Sequence, residues 1–295
     1  MMYQSKKSTT TIQLDEYDYG KSRKVSLLSS IKSSFGMNLR LYWRYKINLI
    51  SGLIEFIVLM FVFSIFAMAL YYKNGYEYLT QADIVIFYMG AILIMAFNST
   101  ALWTPVSNVN RDIYNGTIEY LFSTPGSKYG YFVGSVLADG FIKFIVLFLP
   151  MFTILAFASG IFNQPDALAG VMVVSLIVLI NLISLGILIS LLAIVWKQIN
   201  SIAGMINTLF QFLAGAFFPI TTFPQPLQLI AYLMPQTFGY DLVRYFSFHG
   251  KWVTIFPVEL EIIILVFFTV IYFLLSIFLL KKTERFAKKT GLNRI

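Results

Sequence analysis

Apolar residues run almost without interruption through six windows of the chain, roughly 49–72, 84–106, 131–158, 167–196, 199–218 and 255–280. Each is close to the length of about 20 apolar residues that a helix needs to cross a bilayer. The fourth and fifth touch at Lys197-Gln198, so five spans or six fit the pattern, and six is the reading taken. After the fifth window the pattern breaks. Residues 215–244 read GAFFPITTFPQPLQLIAYLMPQTFGYDLVR, where Pro219, Pro224, Pro226 and Pro235 cut an apolar stretch too short to span. Such backbone survives at membrane depth only under protein or beside water. The pattern therefore predicts a re-entrant segment over about 219–246, of the kind a transporter or channel uses.

Two amphipathic stretches precede these features. Over 24–46, Leu28, Ile31, Phe35, Leu39 and Tyr42 recur at helical spacing, with Lys32, Arg40 and Arg44 off the stripe. This predicts a helix lying in the membrane surface, aromatic face inward and basic residues at the phosphates. Over 111–122, Ile113, Thr117, Ile118, Leu121 and Phe122 share a face, and Pro125 ends the run. A short helix there could rest on its own membrane domain or enter a groove on a partner. Residues 1–23 are polar with an acidic cluster at Asp15, Glu16 and Asp18 and read as a flexible cytoplasmic tail, and 286–295 reads as a basic cytoplasmic tail.

Composition settles the class. Of 295 residues 58% are hydrophobic and 12% charged, about half the charge of an ordinary soluble domain, so the chain is an all-α integral membrane protein. With all six spans in place, every Lys and Arg of the 22 lies on one side except Lys73, Lys143, Arg244 and Lys251. The positive-inside rule then makes both termini cytoplasmic, in a multi-pass protein of the cell membrane. The net charge of +8 is accounted for by this orientation and needs no nucleic-acid partner. There is no cysteine and one histidine, His249, which reads as solvated loop and cannot anchor a zinc site alone.

Two motifs give the chain a resemblance. Gly116, Thr117, Glu119, Leu121, Thr124 and Pro125 follow the Gly-Thr-x-Glu-x-Leu-x-x-Thr-Pro pattern found before the third span of ABC-2 type transporter permeases. Gly215-Ala216-Phe217-Phe218-Pro219, Met234-Pro235 and Tyr240-Asp241-Leu242-Val243-Arg244 resemble that family's later elements, with Met234 where Asn is common. The chain looks most like the drug-resistance and nodulation-factor exporters, over about 25–285. The resemblance implies a transmembrane domain over 49–285, without a nucleotide-binding site, that exports an amphipathic, drug-like, lipid-like or glycoconjugate substrate. Such a permease pairs with a second permease copy or a relative, and with a separate ATPase that binds ATP and Mg. The 24–46 stretch would be an elbow helix. The 111–122 helix would couple to the ATPase through Arg111, Tyr114, Glu119, Tyr120, Leu121 and Phe122. Phe217, Phe218, Pro219, Pro235, Asp241 and Arg244 would form the outer gate. The chain agrees in lacking a Gly-x-x-x-x-Gly-Lys-Ser/Thr phosphate loop.

The polar residues inside the spans are few, and such residues tend to face protein or water. Glu55 could meet a cationic substrate or carry a proton, or it could pair with Lys46. Asp139 and Lys143, four residues apart, share a helix face and suit a structural ion pair. Asn98 and Asn207 are candidates for a substrate pathway, as are Asn181 and Gln211, though such amides also tie helices together. An ion-coupled secondary transporter using Glu55 or Asp139 is the alternative reading. A membrane enzyme is disfavoured, since no cluster of His, Asp and Glu gathers for acid–base or metal chemistry. Gly130, Gly134 and Ala138 form a small-residue ladder for close helix packing, and Pro150 should kink the third span.

Overall fold

The computed structural model describes residues 26–45, 81–124, 126–195 and 200–290, with scattered positions between 47 and 65. Glu55 and most of the first expected span lie outside the described residues. All described elements are helical, and four helices are long and apolar enough to cross a membrane, over Asp83–Tyr114, Lys128–Ser159, Pro165–Leu191 and Val258–Thr283. They fall on the second, third, fourth and sixth expected windows. The fifth window holds a helix of 14 residues, Asn200–Leu213, about 21 Å long at 1.5 Å per residue.

In chain order the helices are α1 (Leu27–Arg44), α2 (Gln81–Tyr114), α3 (Ile118–Ser123), α4 (Lys128–Lys143), α5 (Leu149–Ser159), α6 (Pro165–Val195), α7 (Asn200–Leu213), α8 (Gln225–Tyr232), α9 (Pro235–Ser247) and α10 (Val258–Thr290). Helix α2 is the hub: it touches α4, α5, α6, α7 and α9, and its apolar window is almost wholly covered by protein. Helix α10 is the opposite case, packed along α6 with most of its apolar window bare.

Proline shapes two of the spans. Pro150 has no N–H to give a helix. The chain meets it with a five-residue π segment, Phe144–Phe148, closed by Leu149 N–H to Phe144 C=O, and Pro150 then sits in the first turn of α5. Rings of that segment stack on Phe97 of α2, Phe97 to Phe148 at 4.9 Å and Phe144 to Phe148 at 5.1 Å between centroids. Pro105 lies inside α2, so the carbonyl of Ala101 loses its usual donor. Gly186 of α6 comes against that same carbonyl, where an added Cβ would overlap it.

Helix α1 attaches to the bundle by an unexpected face. Ser26 caps its start, accepting from Ser29 N–H at 3.2 Å. Its buried residues are Ser34 and Asn38, while Leu28 of the apolar stripe is 77% exposed. Small polar side chains let the backbone lie against the glycine face of α4. Ser34 donates to Tyr131 C=O at 2.7 Å, and Ser127 N–H donates to Ser30 Oγ at 3.0 Å. A Cβ on Gly130 would sit 2.6 Å from Ser30 Cβ, and one on Gly134 2.5 Å from Ile31 C=O. Gly134→Ala should therefore push α1 outward and lower stability by about 1–3 kcal/mol, the range for overpacking. The check is thermal unfolding in detergent, and an unchanged melting temperature would refute this packing.

Candidate functional site

Polar structure gathers at both ends of α2. At its C-terminal end, the continuous helix expected over 111–122 is two pieces. Helix α2 runs on to Tyr114, the chain turns through Asn115, Gly116 and Thr117, and α3 follows. Gly116 has φ of 68°, a conformation that glycine adopts at no steric cost. Asp112 holds the turn. Its carbonyl accepts from Thr117 N–H at 2.8 Å, and its carboxylate accepts from Thr117 Oγ1 at 3.3 Å and Tyr131 Oη at 2.6 Å. Lys128 donates to the carbonyls of Thr124 and Gly126 and closes the loop from the other side. Leu121 packs on the core, and α3 touches α10. Tyr114 and Tyr120 are left bare, 93% and 74% exposed. Arg111 faces outward at the end of α2, and Glu119 and Phe122 lie along α3.

At the other end of α2 lies the proline-broken segment. Helix α7 stops at Leu213, and Gly215 takes φ of 84°. An added Cβ there would sit 2.8 Å from Ile220 Cγ1. The rings of Phe212 and Phe217 meet at 4.6 Å, Phe218 faces outward, and Pro219 opens a single 3-10 turn over Ile220–Thr222. Helix α9 starts at Pro235 and is buried nearly throughout. Thr237 donates to Ala231 C=O at 2.7 Å and ties α8 to α9.

Arg244 joins the parts of this segment. It is 2% exposed, and its Nη2 donates to Ala216 C=O at 2.9 Å. The guanidinium lies 3.6 Å from the ring centroid of Phe87 in the first turns of α2. Asp241, one turn earlier, accepts from Trp252 Nε1 at 2.7 Å and Ile255 N–H at 2.8 Å. Glu261, buried in the first turn of α10, accepts from Phe256 N–H at 2.9 Å. The six residues expected at the gate thus fall on one folded-back unit, anchored to α2 by Arg244 and to the loop before α10 by Asp241. Trp252 and Glu261 are further members that the sequence reading passed over; two carboxylates, Glu259 and Glu261, at the head of an apolar span were the available signal. His249, expected to be solvated loop, is exposed but tied down, with Nδ1 2.7 Å from Gln164 Oε1 and Nε2 2.6 Å from Ser159 C=O.

At the turn end of α2 a cavity of about 920 Å³ opens among α1, α2, α4 and the turn itself, with Asp112, Thr117 and Leu121 in its lining. Asp139 and Lys143 line it and form an ion pair at 3.8 Å, with Thr104 donating to the same Asp139 oxygen at 2.5 Å. Asn98 lies elsewhere, enclosed in the core. Asn207 of α7 accepts from Gln211 of the same helix at 3.5 Å, and Asn181 donates to Thr269 Oγ1 at 3.3 Å, tying α6 to α10.

A search of curated proteins returns no match. The family model described as ABC-2 type transporter matches residues 30–248, about three quarters of the chain. The chain belongs to the ABC-2 type transporter family. Its helical bundle is therefore the membrane component of an ABC-2 transporter, a multi-pass protein. The match takes in both ends of α2: the Asp112–Tyr131 turn and the Arg244–Ala216 tie are parts of one ABC-2 membrane domain.

Proposed function

We propose that this chain is the permease subunit of an exporter that moves an amphipathic substrate across the cell membrane, powered by a separate ATPase. Six spans are complete when window 49–72 precedes α2 and α7 with its flanks counts as the fifth. Both termini then lie in the cytoplasm, α1 is the elbow helix, and the segment from Pro219 to Arg244 re-enters from the outside as the gate. The observation that carries the reading is the turn at 111–123. Asp112, Lys128 and Leu121 hold it rigidly to the bundle, while Tyr114 and Tyr120 stand free. A stiff lever with exposed aromatic side chains suits the contact through which an ATPase dimer would push. ATP and Mg would bind to that partner, and this chain would supply none of the hydrolytic groups. The bare apolar side of α10, with Ile263, Phe267, Leu274 and Phe278 each about 60% exposed, fits acyl chains or a second permease.

The test is transport by the permease reconstituted with and without a candidate partner ATPase of the ATP-binding-cassette type. ATP-dependent flux that needs both chains is the expected result. Flux driven by an ion gradient through the permease alone, abolished by Asp139→Asn, would replace the reading with the secondary-transporter alternative.

A further inference from the structure

Two neighbouring spans lose their regular hydrogen bonding at the same depth. In α2 the break comes from Pro105, which leaves the Ala101 carbonyl without its usual donor. In the third span it comes from the π segment Phe144–Phe148, with Pro150 just beyond. Contacts between the two antiparallel helices put the breaks level. Thr104 donates to Asp139 Oδ2 on one side of them, and Phe97 stacks on Phe148 on the other. Ala101 therefore lies opposite the start of the π segment. Mid-helix π turns are rare and gather at functional sites, and proline is a main cause of sharp helix kinks. Two such breaks side by side define a plane across this part of the bundle.

The hydrogen bonds divide along that plane. On the turn side, Tyr131 of α4 holds Asp112 of α2, and Ser34 and Ser30 of α1 join α4. The ends of α2 and α4, the turn and α1 are thus one tied body. On the other side, His249 follows α9 and closes on the α5–α6 connection. Its Nδ1 lies 2.7 Å from Gln164 Oε1, and its Nε2 lies 2.6 Å from Ser159 C=O. His249 reaches them with φ of 55°, the one non-glycine residue at positive φ among the described residues. Such backbone is sparsely populated and persists where its surroundings fix it. Helix α5 is thereby tied to the end of the gate unit.

What lies between the two bodies resists little. Phe144, Phe148 and Phe152 stack at 5.1 and 5.7 Å, with ring planes within 16° of each other. Offset rings hold each other by area and weak electrostatics, so they can slide without giving up a hydrogen bond. Ile145 and Leu149 are 46% and 40% exposed and have little protein to displace. Beside them stands a fixed post. An added Cβ on Gly186 of α6 would sit 1.8 Å from the Ala101 oxygen, so α6 is seated on the break in α2 itself.

We propose that Ala101–Pro105 and Phe144–Pro150 form one hinge, on which the body carrying the turn swings against the body carrying α5 and the gate unit. A push on the turn then arrives at the gate unit as a change of angle, not as a shift of the whole bundle. That an ATPase delivers the push rests on the proposed function; the hinge does not.

Two measurements on the full-length permease test it. Amide hydrogen exchange in detergent, without ATPase or nucleotide, reads the hinge alone. Amides of 149–153 should exchange about tenfold faster than those of 132–142, the equivalent of one backbone hydrogen bond already open. Pro150→Ala restores an N–H and should remove most of that difference. Uniform exchange along the third span would overturn the hinge. Flux in vesicles reads its use. The chain has no cysteine, so Ile145→Cys with Leu149→Cys can be bridged by a short bis-methanethiosulfonate and released by reductant. The bridge should cut flux by about tenfold, within the span of ordinary coupling energies. Reduction should restore it in the same sample, which a folding defect would not allow. The same bridge between Thr153→Cys and Phe157→Cys, within α5, should leave flux intact. Full flux with the hinge bridged, or equal loss from the α5 bridge, would overturn the proposal. If flux ignores ATP, the exporter reading falls, while exchange and the two bridges still decide the hinge.

Discussion

Arg244→Ala should destabilise the permease by about 3 kcal/mol or more, enough to remove most of the folded protein from a membrane preparation. The figure has three sources. Truncation leaves the buried Ala216 carbonyl without its donor, at roughly 1–3 kcal/mol. It removes a desolvated cation–π contact with Phe87, worth up to about 2 kcal/mol. It also opens a hole in a helix that is buried nearly throughout. Against a total stability of about 5–15 kcal/mol, such a loss is large. Arg244→Lys should recover little, because an ammonium cannot lie flat on the Phe87 ring and also reach Ala216. Thermal unfolding in detergent, with folded yield after size exclusion, makes the measurement. The exposed Arg111→Ala is the control, expected within about 0.5 kcal/mol of the parent. If Arg244→Ala unfolds at the parent's temperature, the tie between the Gly-Ala-Phe-Phe-Pro element and α9 is not what holds the segment in place.

That tie was half legible in the sequence. The four prolines showed where helices must stop, and the apolar windows located the four membrane-length helices, since both signals are local. The 28-residue link from Arg244 to Ala216 is tertiary, and no spacing rule reaches it. Helical periodicity misread 111–122 as one helix because Ile113, Ile118, Leu121 and Phe122 do keep the period. The break comes from Gly116 at positive φ and from Asp112, whose backbone and side chain capture Thr117. On α1 the apolar stripe drew attention away from Ser30, Ser34 and Asn38, the residues that meet α4. The ladder Gly130–Gly134 was visible as a close-packing surface, but not what packs on it. The cavity with Asp112 and Asp139 needs three helices at once, so nothing along the chain could announce it.

The second large effect belongs to the turn. The double substitution Tyr114→Ala, Tyr120→Ala should abolish coupling to the ATPase while leaving the permease as stable as before. Stability is spared because both rings are exposed and the turn is held by other groups: Asp112, Thr117, Lys128 and Leu121. At a protein interface the same rings would be of the type that dominates binding, each worth about 2 kcal/mol on truncation. If the two act independently, the loss is about 4 kcal/mol, close to a thousandfold in affinity. Co-purification of the ATPase and ATP-stimulated flux should then both be lost, with the melting temperature within a degree or two. Tyr131→Phe makes the complementary case. It removes only the hydroxyl that steadies Asp112 and leaves both exposed rings in place, so the ATPase should still bind while each ATP moves less substrate. Binding and coupling would separate in that variant only if the turn acts as a lever. A double variant that still binds the ATPase and transports would place the contact elsewhere on the permease.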